Sequence, residues 1–246
     1  MRYFLLIVVA AFQSTGQVLT PGGSGVSMGH LHFTVLDPAV HQRFWVATFG
    51  VPTLQLGDNL GVKLPGAILL FKAGNPSGGS VGSIVNHVGV LVPNLIDAVA
   101  KCKTNGGTIE SQNALQSMVM LPDGIKLELT QDAALKTSVA NHHIHFYDAD
   151  VEETRAWYVK MFGAKPGRRG QFQAADLPGV NLTFSKSETA AAPSKGRAVD
   201  HIGFEVRDLE AFCKRLEAMG VKLDQPFHKL PKLKLSLAFL TDPWGT

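Results

Sequence analysis

Cysteine is scarce in this chain, with two residues in 246, Cys102 and Cys213. Both fall inside helical patterns that belong to different parts of the sequence. The count excludes a disulfide framework, because such frameworks need several conserved pairs of cysteines, and it leaves a single long-range bridge open. We therefore assign the two thiols no function.

Charge is sparse as well, at 17% of residues, and the formal net charge is only +3. Lys and Arg are scattered, apart from Arg168–Arg169 and a group formed by Lys229, Lys232 and Lys234. This pattern argues against nucleic acid as the main partner. Arg168 and Arg169 either steer an anionic substrate or form a solvated basic turn. With 45% hydrophobic residues, the chain can bury a full core and form two domains.

The apolar run at the N-terminus is too short to cross a bilayer as a helix. The run MRYFLLIVVAAF places one Arg before about ten apolar residues, and the small polar stretch QSTGQ follows it. This layout predicts a signal peptide over residues 1–16 and a secreted or periplasmic protein that has no membrane contact after cleavage. A buried first helix or strand is the alternative.

Histidines mark an internal repeat. His30, His87, His143 and His201 each begin an apolar strand pattern, and they are separated by 57, 56 and 58 residues. Such a fixed period is the signature of a repeated structural unit. The chain therefore contains four copies of a unit of about 57 residues.

Copies one and three resemble each other more than neighbours do, and so do copies two and four. The matches at an offset of 113 are His30, His32 and Phe33 with His143, His145 and Phe146. The matches at an offset of 114 are His87 and Gly89 with His201 and Gly203. The duplicated unit is therefore a pair of copies, which predicts one domain over residues 28–131 and a second over residues 141–246.

Each copy changes its hydrophobic period in the same order. In copy three, HIHFYDAD alternates as a strand does, and VEETRAWYVKMFG has an apolar stripe at helical spacing that ends at Gly163. Short alternating runs, QFQAADL and NLTFSKS, follow with turn residues between them. The pattern predicts a βαβββ unit.

The repeated histidines and one carboxylate are candidate metal ligands. Glu128 follows the turn residue Gly124 by four positions, near the end of copy two. The matching position in copy four would be 249, so we expect a longer chain to carry a Glu three residues past Thr246. Two imidazoles and one carboxylate leave open coordination positions and can hold Fe²⁺, Zn²⁺, Mn²⁺ or Ni²⁺.

Further positions in copies one and three refine this prediction. His32 and His145 stand two residues after the repeat histidines, on the same strand face. They are either acid–base groups, alternative ligands or residues that fill a strand face. Leu70 and Thr183 align with Glu128 and are poor ligands, so three protein ligands are expected rather than four. Because duplication copies residues, one half could also have inherited histidines that it does not use.

The chain resembles the vicinal-oxygen-chelate superfamily, which includes glyoxalase I, extradiol dioxygenases and bleomycin-resistance proteins. The most specific segments are DHIGFEVRDLEAFCKRLEAMGV and RAWYVKMFGAKPG, within a resemblance that extends from about residue 28 to 246. The resemblance implies an α+β fold of four βαβββ modules in two tandem pairs. Each pair would form a curved mixed sheet, a metal-binding cup with its helices outside.

Carried over by position, the resemblance implies two groups of metal ligands. They are His30, His87 and Glu128 in the first pair, and His143 and His201 in the second. It further implies a divalent-metal enzyme, a lyase, isomerase or ring-cleaving dioxygenase, that acts on a small oxygen-rich substrate with His145 and Glu128 as catalytic residues. The alternatives are a non-catalytic binding protein of the bleomycin-resistance kind and a structural remnant. A homodimer is a further candidate assembly.

Overall fold

A computed structural model describes residues 19–233 and 235–246. The segment for which a signal peptide is predicted, residues 1–16, lies outside the described residues. No helix within residues 19–233 and 235–246 is both long and apolar enough to cross a membrane.

Four modules follow one another along the chain. Module 1 contains β1 (Val26–Val35), α1 (Pro38–Phe49), β2 (Thr53–Leu56), β3 (Asn59–Leu64) and β4 (Ala67–Ala73). Module 2 contains β5 (Val85–Val92), α2 (Leu95–Thr104), β6 (Thr108–Gln112), β7 (Gln116–Met120) and β8 (Lys126–Gln131). Module 3 contains β9 (Ala140–Asp148), α3 (Val151–Phe162), β10 (Lys165–Arg169), β11 (Phe172–Leu177) and β12 (Val180–Lys186). Module 4 contains β13 (Val199–Val206), α4 (Leu209–Ala218), β14 (Leu223–Leu230) and β15 (Leu235–Leu240).

The predicted α+β class is confirmed, and modules 1, 2 and 3 have the predicted βαβββ order, whereas the described residues of module 4 have two strands after the helix. Each helix begins after an Asp or Asn whose side chain accepts a hydrogen bond from a backbone N–H of the first turn. The helices of modules 1 and 3 end at Gly50 and Gly163, which both have φ of 67°. The left-handed conformation is easily adopted by glycine, so these two residues stop the helices at equivalent positions.

The predicted pairing of the modules is wrong. One eight-stranded sheet has the order β10-β11-β12-β9-β5-β8-β7-β6, so it joins module 3 to module 2 through β9 and β5. A five-stranded sheet has the order β13-β1-β4-β3-β2 and joins module 4 to module 1. The cups therefore form between modules 2 and 3 and between modules 1 and 4, rather than within the tandem pairs.

The length of the connection between modules 2 and 3 permits this exchanged pairing, whereas sequence similarity between modules does not reveal which of them share a sheet. The connection from β8 to β9 comprises residues 132–139, and it passes from one side of β5 to the other. Adjacent strands are about 4.8 Å apart and an extended residue covers about 3.3 Å, so the connection can cross two strand spacings. Duplication shows which modules descend from a common unit, whereas hydrogen bonding between strand edges decides which modules share a sheet.

We call the concave face built on β5, β8, β9 and β12 the central cup, and the face built on β1, β4 and β13 the terminal cup. The opposite faces of these strands pack on the helices as one apolar core. Its largest fully buried side chains include Trp45, Phe33, Phe71, Phe146 and Phe184. Polar residues on the other strand face are thereby directed into the cups, because successive side chains of a strand alternate between faces.

A buried hydrogen bond joins module 2 to the helix of module 1. Asp123, in the turn before β8, accepts a hydrogen bond at Oδ2 from His41 Nε2 at 2.9 Å and another from Leu36 N at 3.2 Å. His41 is 1% exposed, and burial lowers its pKa. Asp123 has a φ of 59°, which is unfavourable for a residue with a Cβ. The contact therefore fixes the turn from which the Glu128 strand starts.

Replacement of Asp123 by alanine is expected to lower the free energy of unfolding by about 2–4 kcal/mol, because the buried His41 loses its hydrogen-bond acceptor. Alanine also has a Cβ, so the unfavourable left-handed backbone conformation at position 123 is not relieved. Asp123→Gly loses the same hydrogen bonds but relieves the backbone, so its loss should be about 1 kcal/mol smaller. Urea unfolding curves measure both values. Wild-type stability in both variants would contradict a role for the His41–Asp123 hydrogen bond.

Candidate metal centre

The central cup brings together four side chains that can bind a metal: His87, Glu128, His143 and His145. One donor atom from each lies within 4.8 Å of the others. All four residues are buried, with at most 2% of their surface exposed. They come from three adjacent strands, β5, β8 and β9, and so from modules 2 and 3.

Strand register places these residues together. Gly89 of β5 lies beside Glu128 of the parallel strand β8 and opposite His143 of the antiparallel strand β9. In the same antiparallel register, His87 lies opposite His145. Directly paired residues point to the same face of a sheet, so all four functional side chains enter one cup.

Gly89 provides the space in which the His143 ring lies. A Cβ at position 89 would lie 2.7 Å from His143 Nε2 and closer still to Nδ1 and Cε1. The pairing skips one residue of β9 here, His142, which forms a β-bulge. Bulges next to active sites redirect side chains, and this one gives His142 and His143 rings in edge contact, 4.9 Å apart.

The two oxygens of Glu128 have different surroundings. Oε1 accepts hydrogen bonds from Thr130 Oγ1 at 2.8 Å, Gln116 Nε2 at 3.0 Å and Arg169 Nη1 at 3.2 Å. Oε2 instead faces His87 Nε2 at 3.2 Å and His143 Nε2 at 3.5 Å. One oxygen is therefore held by three donors, and the other points at the imidazole nitrogens.

Hydrogen-bond partners fix the protonation of His143. Arg169 Nη2 lies 3.1 Å from His143 Nε2, and because a guanidinium only donates, Nε2 must present its lone pair. The ring proton then resides on Nδ1 and is donated to His142 Nδ1 at 3.1 Å. Burial lowers the pKa of His143 to about 3, so the ring is neutral at physiological pH.

His87 is held in the same way. Its Nδ1 lies 2.9 Å from Asn86 Oδ1, which accepts the proton and leaves the Nε2 lone pair facing Glu128. Burial lowers the pKa of His87, and this favours the neutral ring. Burial alone would raise the pKa of Glu128, but its contacts with His143 and His87 and the charge of Arg169 hold this pKa well below its usual range. Two nitrogen lone pairs and one carboxylate oxygen thus converge, a donor set that suits a divalent cation.

His145 lies on the other side of this group. Its Nδ1 is 3.2 Å from His87 Nε2, and its Nε2 is 2.7 Å from Ser185 Oγ. Burial and the neighbouring histidines lower its pKa to about 2. Thr183, which aligns with Glu128 in the sequence, pairs with His145 in the sheet and accepts a hydrogen bond from Arg169 Nε at 3.0 Å. It therefore holds the arginine.

The terminal cup has a second cluster, formed by His30, His32 and His201. His201 Nδ1 lies 2.6 Å from Asp200 Oδ1, and the His30 ring lies over Gly203 as His143 lies over Gly89. His32 Nε2 is buried and has no hydrogen-bond partner. Within the part of the chain that the structure describes, no carboxylate belongs to this cluster.

The predicted grouping of ligands is therefore wrong, although each predicted residue lies in a cup. His87 and Glu128 join His143 and His145, whereas His30 joins His201 and His32. The cause is the exchange of module partners described above. Leu70, the aligned residue of module 1, is buried beside His32 and offers no ligand atom.

Several supporting residues escaped the sequence analysis. The residues directly before three of the repeat histidines, Asn86, His142 and Asp200, all contact the Nδ1 atom of the histidine that follows. Such contacts orient an imidazole and fix its tautomer. Their polar character at one repeat position was a usable signal. Gln116, Thr130 and Ser185 carried no comparable signal.

The second half of the chain matches a known protein superfamily in sequence. The sequence profile of the Glyoxalase/Bleomycin resistance protein/Dioxygenase superfamily matches residues 140–246. Residues 140–246 belong to this superfamily. This segment comprises modules 3 and 4, so the predicted superfamily is confirmed there from sequence alone.

Solved structures of other proteins match nearly the whole chain in fold. Glyoxalase I from Zea mays has a TM-score of 0.68 at 17% identity, covering 89% of this chain and 90% of that one. A putative dioxygenase from Bacillus subtilis has a TM-score of 0.60 at 16% identity, covering 89% and 86%. These likenesses show that modules 1 and 2 share the fold. Among curated proteins, no sequence matches significantly.

Proposed function

We propose that the protein is a metal-dependent enzyme whose active site is the central cup, with His87, Glu128 and His143 as ligands of a divalent cation. The observation that carries the proposal is the convergence of two imidazole lone pairs on one carboxylate oxygen in a buried site. Without a cation these electron-rich atoms would repel one another. Burial and fixed tautomers prepare them to bind one.

A divalent metal held by His87, Glu128 and His143 would supply Lewis-acid chemistry, which polarises an oxygen atom of the substrate. The chain supplies the remaining functions. Asn86 and His142 orient the two imidazoles, and Gln116 and Thr130 hold Glu128. A small substrate with neighbouring oxygen atoms suits three protein ligands, because open coordination positions remain for it.

We assign His145 the transfer of a substrate proton. Its Nε2 lies 2.7 Å from Ser185 Oγ, and its Nδ1 faces the donor group, 3.2 Å from His87 Nε2. A neutral imidazole can accept a proton and return it, which isomerase and lyase chemistry at adjacent oxygen-bearing carbons requires. The assignment distinguishes His145 from the three ligands, since its loss should impair turnover more than metal content.

Metal analysis tests the proposal. Purified protein, or apoprotein reconstituted with Fe²⁺, Zn²⁺, Mn²⁺ or Ni²⁺, should contain one tightly bound equivalent that His87→Ala removes. His145→Gln should retain the metal and lose most turnover, about a hundredfold or more, in a panel of catechols, α-hydroxy acids and α-oxo aldehyde adducts. Wild-type protein with no bound metal would contradict the proposal. Ligand binding without metal would instead favour the bleomycin-resistance type of function.

A further inference from the structure

Arg169 is the one cationic side chain in contact with the donor group, among the residues that the structure describes. From its surroundings we infer that Arg169 binds an oxyanion of the substrate beside the metal, so that the substrate is a small anionic chelator. The inference rests on the proposed function, because it assumes a cation in the central cup.

Arg169 is held inside the cup. Its Nε donates to Thr183 Oγ1 at 3.0 Å, its Nη1 to Glu128 Oε1 at 3.2 Å and its Nη2 to His143 Nε2 at 3.1 Å. The guanidinium also lies 5.9 Å from the centre of the Phe172 ring. Its side chain is 16% exposed, so it is largely desolvated but reachable. Arg168, its neighbour, points away and bonds to Gln171 O in solvent.

Metal binding would release one donor of this arginine. His143 Nε2 cannot accept from Arg169 and ligate a cation with the same lone pair. The contacts with Thr183 and Glu128 use other atoms of the guanidinium and persist. A fixed guanidinium would then present Nη2 at the metal site without an acceptor, and leaving a buried charged donor unpaired is costly. A substrate oxyanion provides that acceptor.

The net charge of the central cup with a cation bound also favours an anionic substrate. With a divalent cation bound, the cup contains two positive centres against the single negative charge of Glu128. A site of low dielectric with excess positive charge favours an anion over a neutral molecule. Arginine is also well suited to carboxylate and phosphonate groups, which it can bind through two parallel hydrogen bonds.

An open cavity leads to the arginine. It has a volume of about 540 Å³ and is lined by residues that include Arg169, His142, Asn141, Asn181 and Pro65. Asp176 also lines it, but Asn181 Nδ2 bonds to its carboxylate at 2.8 Å. Arg169 therefore lies between this cavity and the donor group, where a small substrate would pass from solvent to metal.

Anion binding to cobalt(II)-loaded protein tests the inference. Oxalate retains charge on its outer oxygens after chelation, whereas acetohydroxamate chelates through both of its oxygens and keeps no further oxyanion. Isothermal titration should show that Arg169→Gln weakens oxalate about ten- to hundredfold, the usual cost of a charged hydrogen bond, with acetohydroxamate within about twofold of wild type. Arg168→Gln is the matched control and should leave both affinities unchanged.

The outcomes separate this inference from the proposed function. Wild-type protein that takes up no cobalt contradicts both proposals. Cobalt uptake with equal oxalate affinity in wild type and Arg169→Gln overturns the role of Arg169 alone. If Arg169→Gln does not fold, Arg169→Lys serves instead; it keeps the charge without the planar geometry and should weaken oxalate severalfold. Wild-type oxalate affinity in Arg169→Lys would contradict a contact that depends on the geometry of the guanidinium group.

Discussion

Gly89→Ala is expected to abolish metal binding in the central cup, although the substitution removes no ligand. The added methyl group would occupy the space of the His143 ring, 2.7 Å from Nε2 and closer to two other ring atoms. Both strands are fixed in the interior of the eight-stranded sheet, so the ring must rotate out of the cup. We expect metal affinity to fall about a hundredfold or more, comparable with the loss of a positioning contact or a ligand.

Gly203→Ala is the matched control for this substitution. Gly203 stands at the same repeat position in module 4, and its missing Cβ makes room for His30 in the terminal cup. Metal binding in the central cup should therefore survive in Gly203→Ala. Competition titrations with a metal-binding dye measure both affinities, and circular dichroism verifies folding. Equal metal affinity in Gly89→Ala and wild type would show that His143 is not a ligand.

Glu205→Gln is expected to stabilise the protein at alkaline pH and to leave stability unchanged at acidic pH. Glu205 faces the terminal cup opposite Ser27, is 8% exposed, and burial raises its pKa from 4.5 to about 7. This shift corresponds to about 3 kcal/mol of unfavourable free energy once the carboxylate is ionised in the folded state. Gln retains the shape of the side chain and cannot ionise.

The sign follows from proton binding. Below pH 4.5, Glu205 is protonated in both the folded and the unfolded state and has no effect. Between pH 4.5 and about 7 the unfolded state releases its proton first, so folding stability falls as pH rises. His30 and His32 have pKa values lowered by burial to about 3 and 4, so they do not titrate above pH 5.

Guanidinium unfolding curves at pH 5 and pH 8 measure the effect. Glu205→Gln should match wild type at the lower pH within about 1 kcal/mol and exceed it at the higher pH by up to about 3 kcal/mol. The exposed residue Glu217 supplies the control, because Glu217→Gln should follow wild type at both values. A pH-independent gain in Glu205→Gln would show that ionisation of this carboxylate does not limit stability.

The repeat made most of the fold predictable. A period of about 57 residues with a change from alternating to helical pattern predicted four βαβββ modules, because local periodicity decides which elements form. The histidines at one repeat position predicted where ligands lie on the strands. Those predictions depended only on the order of residues along one module.

The sequence alone does not show which modules share a sheet. Each module has a first strand with an edge open for pairing. The residues of that strand, such as His87 or His143, do not show which other first strand pairs with it. One clue was present: the second histidine of modules 1 and 3 alternates with Gly89 and Gly203 in modules 2 and 4. In the structure, the first histidine of one partner, His143 or His30, occupies the space that the glycine of the other partner, Gly89 or Gly203, leaves free. This complementarity fits the exchanged pairing but does not by itself exclude the tandem one.

The role of Arg169 illustrates a second limit. Arg168 and Arg169 are adjacent in sequence, and composition treats them alike. Strand alternation sends one side chain to solvent and the other to Glu128, and only the registers of β10 and β11 and of β12 and β9 decide which is which. Isolated charged residues in short strands carry too little periodicity to reveal that choice.

The exchange of partners between modules has a consequence for the history of this chain. A protein with only two such modules, paired in this way, could build a cup only by association of two identical copies, which would then contain two equivalent sites. In this chain, residues 132–139 join two such units, so one of those contacts lies in the interior of a single chain. Mutations can then alter one site without the other, and the four-residue centre of the central cup differs accordingly from the three-histidine centre of the terminal cup.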